Sequence, residues 1–154
     1  MPRRCPAMGA QVLRLLTGVL MAPLQTAPIV LTVDDEADVR RIIRRILERS
    51  GYQVLEASNG IEALELLASD ARLDLLIADV EMPGLAGEEL ARKILATRPD
   101  QKVLYVTGHA ERLFDARGIL WAGEAFLEKP FTTGGLAEAV SLLLYGTTEK
   151  PVAV

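Results

Sequence analysis

The chain has 154 residues, half of them apolar, with a net charge of −4, one cysteine and one histidine. That length suits a single domain with a real core and short extensions. The acidic balance argues against general affinity for nucleic acid or anionic membranes, Cys5 alone cannot form an internal disulfide and fits a reducing compartment, and one Cys with one His leaves no zinc cluster.

Residues 1–27 read as an N-terminal extension, poorly ordered or helical. Arg3 and Arg4 precede an apolar stretch that starts at Val12 and is broken by Arg14. It resembles a signal peptide, is short and interrupted for a membrane span, and places Val12, Leu13, Leu16, Val19 and Leu20 at helical spacing. A poorly ordered extension, or an upstream start codon seldom used, is the plainer reading. Residues 28–146 read as the domain and 147–154 as a C-terminal tail, too short for a further domain.

Residues 28–33 form a first apolar run that ends in Asp34-Asp35. Val39, Ile42, Ile43, Ile46 and Leu47 then repeat at helical spacing. Arg40, Arg41, Arg44, Arg45 and Arg49 fill the opposite face, as a solvated surface or a docking patch for an acidic partner. Gly51 stops this helix. Residues 52–56 alternate as a second strand, and Asn59 with Glu62 opens a helix whose inner stripe is Leu64, Leu67 and Ala68. Leu75 to Ala78 reads as a strand buried on both faces, ended by Asp79 and the turn-forming Pro83-Gly84. A helix over residues 88–97 turns Leu90, Ala91, Ile94 and Leu95 inward. A fourth strand over residues 103–107 is followed by a short helix predicted over 111–117. A fifth strand covers residues 125–127, ahead of Lys129-Pro130. Thr132 or Thr133 opens the last helix, with Leu136, Val140, Leu143 and Leu144 inward, and Gly146 stops it.

Strands alternating with helices predict a parallel sheet covered on both faces, an α/β fold that binds ligands at the carboxyl ends of its strands. Those ends carry Asp34 and Asp35, Asp79, Thr107 and Lys129. Crowded carboxylates repel and call for a hard cation such as Mg²⁺. A lysine supplies a point charge for a phosphoryl oxygen, and a hydroxyl supplies a donor. Together they make a phosphoryl-transfer site with a carboxylate nucleophile. Each residue alone has an ordinary structural explanation; the joint placement carries the reading.

The chain resembles a response-regulator receiver domain of two-component signalling. The matching pieces are Val33-Asp34-Asp35-Glu36, Asp79-Val80-Glu81-Met82-Pro83-Gly84 with Gly87 following, Thr107-Gly108, and Lys129-Pro130-Phe131. The resemblance implies a flavodoxin-like, doubly wound sheet of strand order 2-1-3-4-5. It implies that Asp79 is the phosphoacceptor, Asp35 the direct Mg²⁺ ligand, and Asp34 an acid working largely through water. The Glu81 carbonyl completes the protein's metal shell. Lys129 binds the phosphoryl group, its bond to Pro130 being cis, and Thr107 with Phe126 forms a switch pair. The implied partners are a histidine kinase or phosphotransfer protein, and a downstream protein meeting the fourth predicted helix, the fifth strand and the last helix. Self-association into a homodimer stays open. The setting is cytoplasmic, where the phosphoryl donors are. The tail is too short for an output domain, so the expectation is action by contact, as a relay or sink, or as the partner of a hybrid kinase; residues 103–131 resemble receivers attached to such kinases.

Two other classes compete. A magnesium-dependent phosphohydrolase with an aspartyl nucleophile would accommodate Glu81 two residues after Asp79, but needs a cap for which the chain has no spare length. A flavodoxin-like nucleotide binder needs a glycine-rich loop where Asp34-Asp35-Glu36 stands.

Overall fold

The computed structural model describes residues 26–111, 113, 120 and 122–146. Its strands are β1 (Ile29–Val33), β2 (Gln53–Ala57), β3 (Leu75–Asp79), β4 (Lys102–Thr107) and β5 (Glu124–Glu128). They form one parallel sheet in the order β2-β1-β3-β4-β5. The helices α1 (Ala37–Arg49), α2 (Gly60–Leu67), α3 (Gly87–Thr97) and α4 (Thr133–Tyr145) complete a flavodoxin-like α/β fold. The helix predicted over 111–117 lies mostly outside the described residues, as do the apolar N-terminal stretch and residues 147–154. Among the described residues, no helix is long and apolar enough to cross a membrane.

The sheet is covered on both faces. On one, Leu31, Val33, Leu76 and Ala78 pack against Leu67 of α2 and Leu90 and Ile94 of α3. On the other, Val30, Leu75, Ile77 and Leu104 pack against Ile43 and Leu47 of α1 and Leu136 and Val140 of α4. β3 lies at the centre and is buried along its whole length. Burying each of its large side chains contributes roughly 2 kcal/mol. This double burial explains the continuous apolar run that precedes Asp79.

Local rules hold at the helix ends. The Asn59 side chain accepts from Glu62 N–H at 2.8 Å, and Glu62 reaches back to Ser58 N–H at 2.9 Å. Thr132 caps α4 by accepting from Gly135 N–H, and Gly146 ends that helix in the left-handed conformation. Several side chains sit differently from their periodicity. Ile42 is 53% exposed, because the stripe of Val39, Ile43, Ile46 and Leu47 already fills the inner arc of α1. Tyr52 precedes β2 as a buried turn residue bonded to Leu47 O. In α2 the inward small residue is Ala63, while Ala68 is the exposed C-cap. Leu95, Leu143 and Leu144 are half-buried at the margins of their helices.

Candidate functional site

Strand register gathers the polar residues. Val33 pairs with Ala78, so Asp34 emerges level with Asp79. Asp79 pairs with Val106, one step before Thr107, and Thr107 pairs with Glu128, one step before Lys129. One rim of the sheet therefore carries all four.

Each strand end then uses the same short-range device. Asp34 Oδ1 accepts from Glu36 N–H at 2.8 Å, Asp79 Oδ1 from Glu81 N–H at 3.0 Å, and Thr107 Oγ1 from His109 N–H at 3.0 Å. Such i to i+2 bonds are what Asp and Thr favour where a strand turns into a loop. They orient the side chain and leave the second carboxylate oxygen of each aspartate facing inward. Lys129 Nζ bridges those inward oxygens, at 3.0 Å from Asp34 Oδ2 and 3.2 Å from Asp79 Oδ2. Glu36 Oε1 lies 3.8 Å from the same ammonium; the sequence names this residue within the Val33-Asp34-Asp35-Glu36 motif but gives it no role at the site.

Asp34 and Asp79 are buried, whereas Asp35 is exposed on the outer side of the pocket. Carboxylate oxygens of Asp34, Asp35 and Asp79 lie within 4.8 Å of one another. Among the described residues one ammonium, that of Lys129, lies against Asp34 and Asp79, so the described cluster carries more negative than positive charge. Burial pushes the Asp79 carboxyl above its ordinary range; the Glu81 N–H bond opposes this and the Asp34 charge adds to it. Burial would lower the Lys129 pKa, but its bonds to Asp34 and Asp79 outweigh that and raise it. The hard oxygen donors, their closeness and their unbalanced charge fit Mg²⁺, which takes few protein ligands and keeps its water.

The remaining expected residues surround this centre. Thr107 is fully buried. Phe126 of β5 is 40% exposed and pairs in register with Tyr105. The peptide bond between Lys129 and Pro130 is cis. His109 Nε2 lies 3.8 Å from Glu81 Oε2 and its Nδ1 lies 3.5 Å from Glu111 Oε1, all at the partly exposed mouth. Gly87 has a steric role: a Cβ there would stand 2.1 Å from the Asp79 carbonyl oxygen. Only glycine lets the start of α3 pack against the backbone of β3's last residue. Arg40 departs from the solvated face expected of it; its side chain is 17% exposed and donates to the Asp34 carbonyl oxygen. Its place in the first turn after Asp34-Asp35 was the available signal.

The family model for the response regulator receiver domain matches residues 30–141. The chain is 40% identical over 116 residues to sensor kinase CckA of Brucella abortus, covering 75% of this chain and 12% of that protein. It is 36% identical over 124 residues to response regulator MprA of Mycobacterium bovis, covering 80% of this chain and 54% of that protein. The chain thus spans about half or less of the length of these curated relatives. Among solved structures, it is similar to response regulator TrrA of Thermotoga maritima in complex with Mg²⁺-BeF, with a TM-score of 0.67 and 35% identity over 76% of this chain and 99% of that one. The receiver domain of hybrid histidine kinase CckA gives a TM-score of 0.65 and 37% identity over 75% of this chain and 98% of that one.

Proposed function

This chain belongs to the response regulator receiver domain family, and on that premise we propose that Asp79 is the residue that carries the phosphoryl group. Receiver domains are the phosphoacceptors of two-component signalling. The observation that supports Asp79 is the convergence of Asp34, Asp35 and Asp79 with Lys129 bridging two of them.

In this reading Asp34, Asp35, Asp79 and the Glu81 carbonyl hold Mg²⁺. The ion, when bound, supplies neutralising charge for the transferring phosphoryl oxygens. A carboxylate oxygen of Asp79 attacks phosphorus on a phosphohistidine. The P–O bond forms as the P–N bond breaks, and the departing imidazole nitrogen takes a proton from solvent. Lys129 exchanges its bond to Asp79 for one to a phosphoryl oxygen. The product carries about −1.5 to −2 charges and three acceptor oxygens where one carboxylate stood. Thr107 donates its hydroxyl proton to one of them, and the exposed Phe126 ring turns inward behind it. The changed surface is the one built on β5, α4 and the segment predicted to be helical over 111–117. A downstream protein reads it there.

The phosphoryl donor is a histidine kinase or phosphotransfer protein, which sets the cytoplasm as the working compartment. The chain's only chemistry is gain and loss of its own phosphoryl group. A magnesium-dependent phosphohydrolase is disfavoured by the family match. Incubation with acetyl phosphate and MgCl₂ tests the reading. One acid-stable, base-labile phosphoryl group per chain supports it; many turnovers of released phosphate, or no uptake, overturn it.

A further inference from the structure

Arg40 belongs to α1, and helical periodicity puts it on the polar face with Arg41, Arg44, Arg45 and Arg49. Its side chain nevertheless turns back over the start of its own helix. Nη1 donates to the Asp34 carbonyl oxygen, and Nε lies 3.8 Å from Glu56 Oε1 on β2. The other Glu56 oxygen accepts from Arg44 Nη1 at 2.7 Å, and Arg44 Nε donates to Glu48 at 2.8 Å. A run of alternating charges thus crosses from α1 through the end of β2 to the backbone beside the acidic pocket.

Asp34 is held at every polar group. Its N–H reaches Ala57 O at 3.3 Å, its carboxylate takes the Glu36 N–H and Lys129, and its carbonyl takes Arg40. The Asp34 carbonyl and the Asp35 N–H belong to one rigid peptide plane. Orienting that plane fixes the N–Cα bond of Asp35 and so narrows the directions in which its side chain can leave the backbone. Asp35 is exposed, yet its carboxylate converges with those of Asp34 and Asp79.

We propose that Arg40 is a positioning residue for the metal site. It clamps the peptide between Asp34 and Asp35, and so aims the Asp35 carboxylate at the other two. The inference rests on the Mg²⁺ reading above and touches no ligand atom directly. Groups that orient metal ligands typically change affinity by about tenfold or more when removed. Arginine suits the task because its planar fork reaches a carbonyl and a carboxylate at once, which an ammonium cannot do.

The test is titration of the full chain with MgCl₂, followed by amide NMR shifts at the strand ends. Arg40→Met is expected to weaken Mg²⁺ binding about tenfold. Arg44→Met breaks the same charge run without touching Asp34, and is expected to stay within about twofold of wild type. Equal affinity in Arg40→Met and wild type overturns the proposal. So does an equal loss in Arg44→Met, which would mean general loosening of α1 against β2. If Arg40→Met does not fold, Arg40→Lys decides: affinity between wild type and a loss of about tenfold supports the clamp, and wild-type affinity overturns it. A wild type that shows no Mg²⁺ response overturns the metal reading itself, a result distinct from all of these.

Discussion

Two aspartates stand at opposite ends of the same buried strand and do different work. Asp74, just before β3, accepts the Ile29 N–H at 2.8 Å and pairs with Arg72 Nη2 at 3.2 Å. Its own N–H donates to Ile29 O at 2.9 Å, so the residue laces β1 to β3 at the amino edge. Asp79, the last residue of β3, shares one lysine with Asp34 and stands close to Asp35. At the amino edge one acid meets one guanidinium. At the carboxyl edge, among the described residues, the Lys129 ammonium lies against Asp34, Asp79 and Glu36, with Asp35 beside the two aspartates. The side chain is the same, and the difference lies in what the neighbouring strands end in. A carboxylate becomes useful for chemistry where the fold leaves it buried and short of countercharge.

Exchanging each aspartate for its amide should break this comparison most sharply. Asp79→Asn is expected to take up no phosphoryl group from acetyl phosphate and Mg²⁺. Asp74→Asn is expected to label like wild type while losing about 1 kcal/mol of stability with its charged hydrogen bonds. Stoichiometric labelling of Asp79→Asn would remove Asp79 as nucleophile.

Backbone placement comes next. Gly87→Ala drives a Cβ against the Asp79 carbonyl, where no flexible side chain can yield. Denaturant titration should show a loss of about 3 kcal/mol. Gly134→Ala, in α4 with open space around it, should instead gain about 0.5 kcal/mol. A tolerated Gly87→Ala would mean that α3 can move off β3 without cost.

A smaller effect should appear in the pH dependence of the metal-free protein. Burial, opposed by the Glu81 N–H and reinforced by Asp34, raises the Asp79 carboxyl in the fold. A carboxyl raised on folding favours the fold below its unfolded pKa of about 3.9, and that contribution is lost as pH rises through the folded value. Asp79→Asn cannot ionise. Its melting temperature relative to wild type should therefore climb as pH rises through that window and stay higher at neutral pH. A difference that shrinks with rising pH would reverse the sign assigned here.

The smallest effect concerns the lifetime of the phosphoryl group. Glu81 and His109 approach within 3.8 Å at the mouth of the pocket. They are expected to obstruct the hydrolytic water. Glu81→Asn and His109→Ala should each speed the decay of phospho-Asp79 a few-fold, measured after removal of donor. Unchanged decay would make them bystanders, and slower decay would show that they direct water instead of excluding it.

Much of this site was legible in the chain. An apolar run that ends in Asp or Thr announces both a buried strand and the i to i+2 turn at its end, which Asp34, Asp79 and Thr107 all make. The Asn59 and Glu62 cap follows from the same short-range chemistry. Arg40 was not legible as a clamp, since periodicity assigns a face and not the direction of a long side chain. Ile42 was placed inward for a related reason: spacing marks a stripe, but the width of the stripe that finds a partner depends on how α1 sits on the sheet. Gly87 stood in the motif, yet its steric reason is a distance to another element.

By itself the sequence determined the strands, the order in which they end and the residue presented at each end, because those depend on burial pattern and on hydrogen bonds spanning two or three residues. Tertiary structure decided that β1 and β4 flank β3, and in which register. Val33 opposite Ala78 and Val106 opposite Asp79 join strands whose paired residues are 45 and 27 apart in the chain, and this brings the carboxylates of Asp34, Asp35 and Asp79 within 4.8 Å. The raised Asp79 carboxyl, which burial causes first and the Asp34 charge reinforces, and the Lys129 bridge both come from tertiary placement, since desolvation and Coulomb energy depend on surroundings in space and not along the chain.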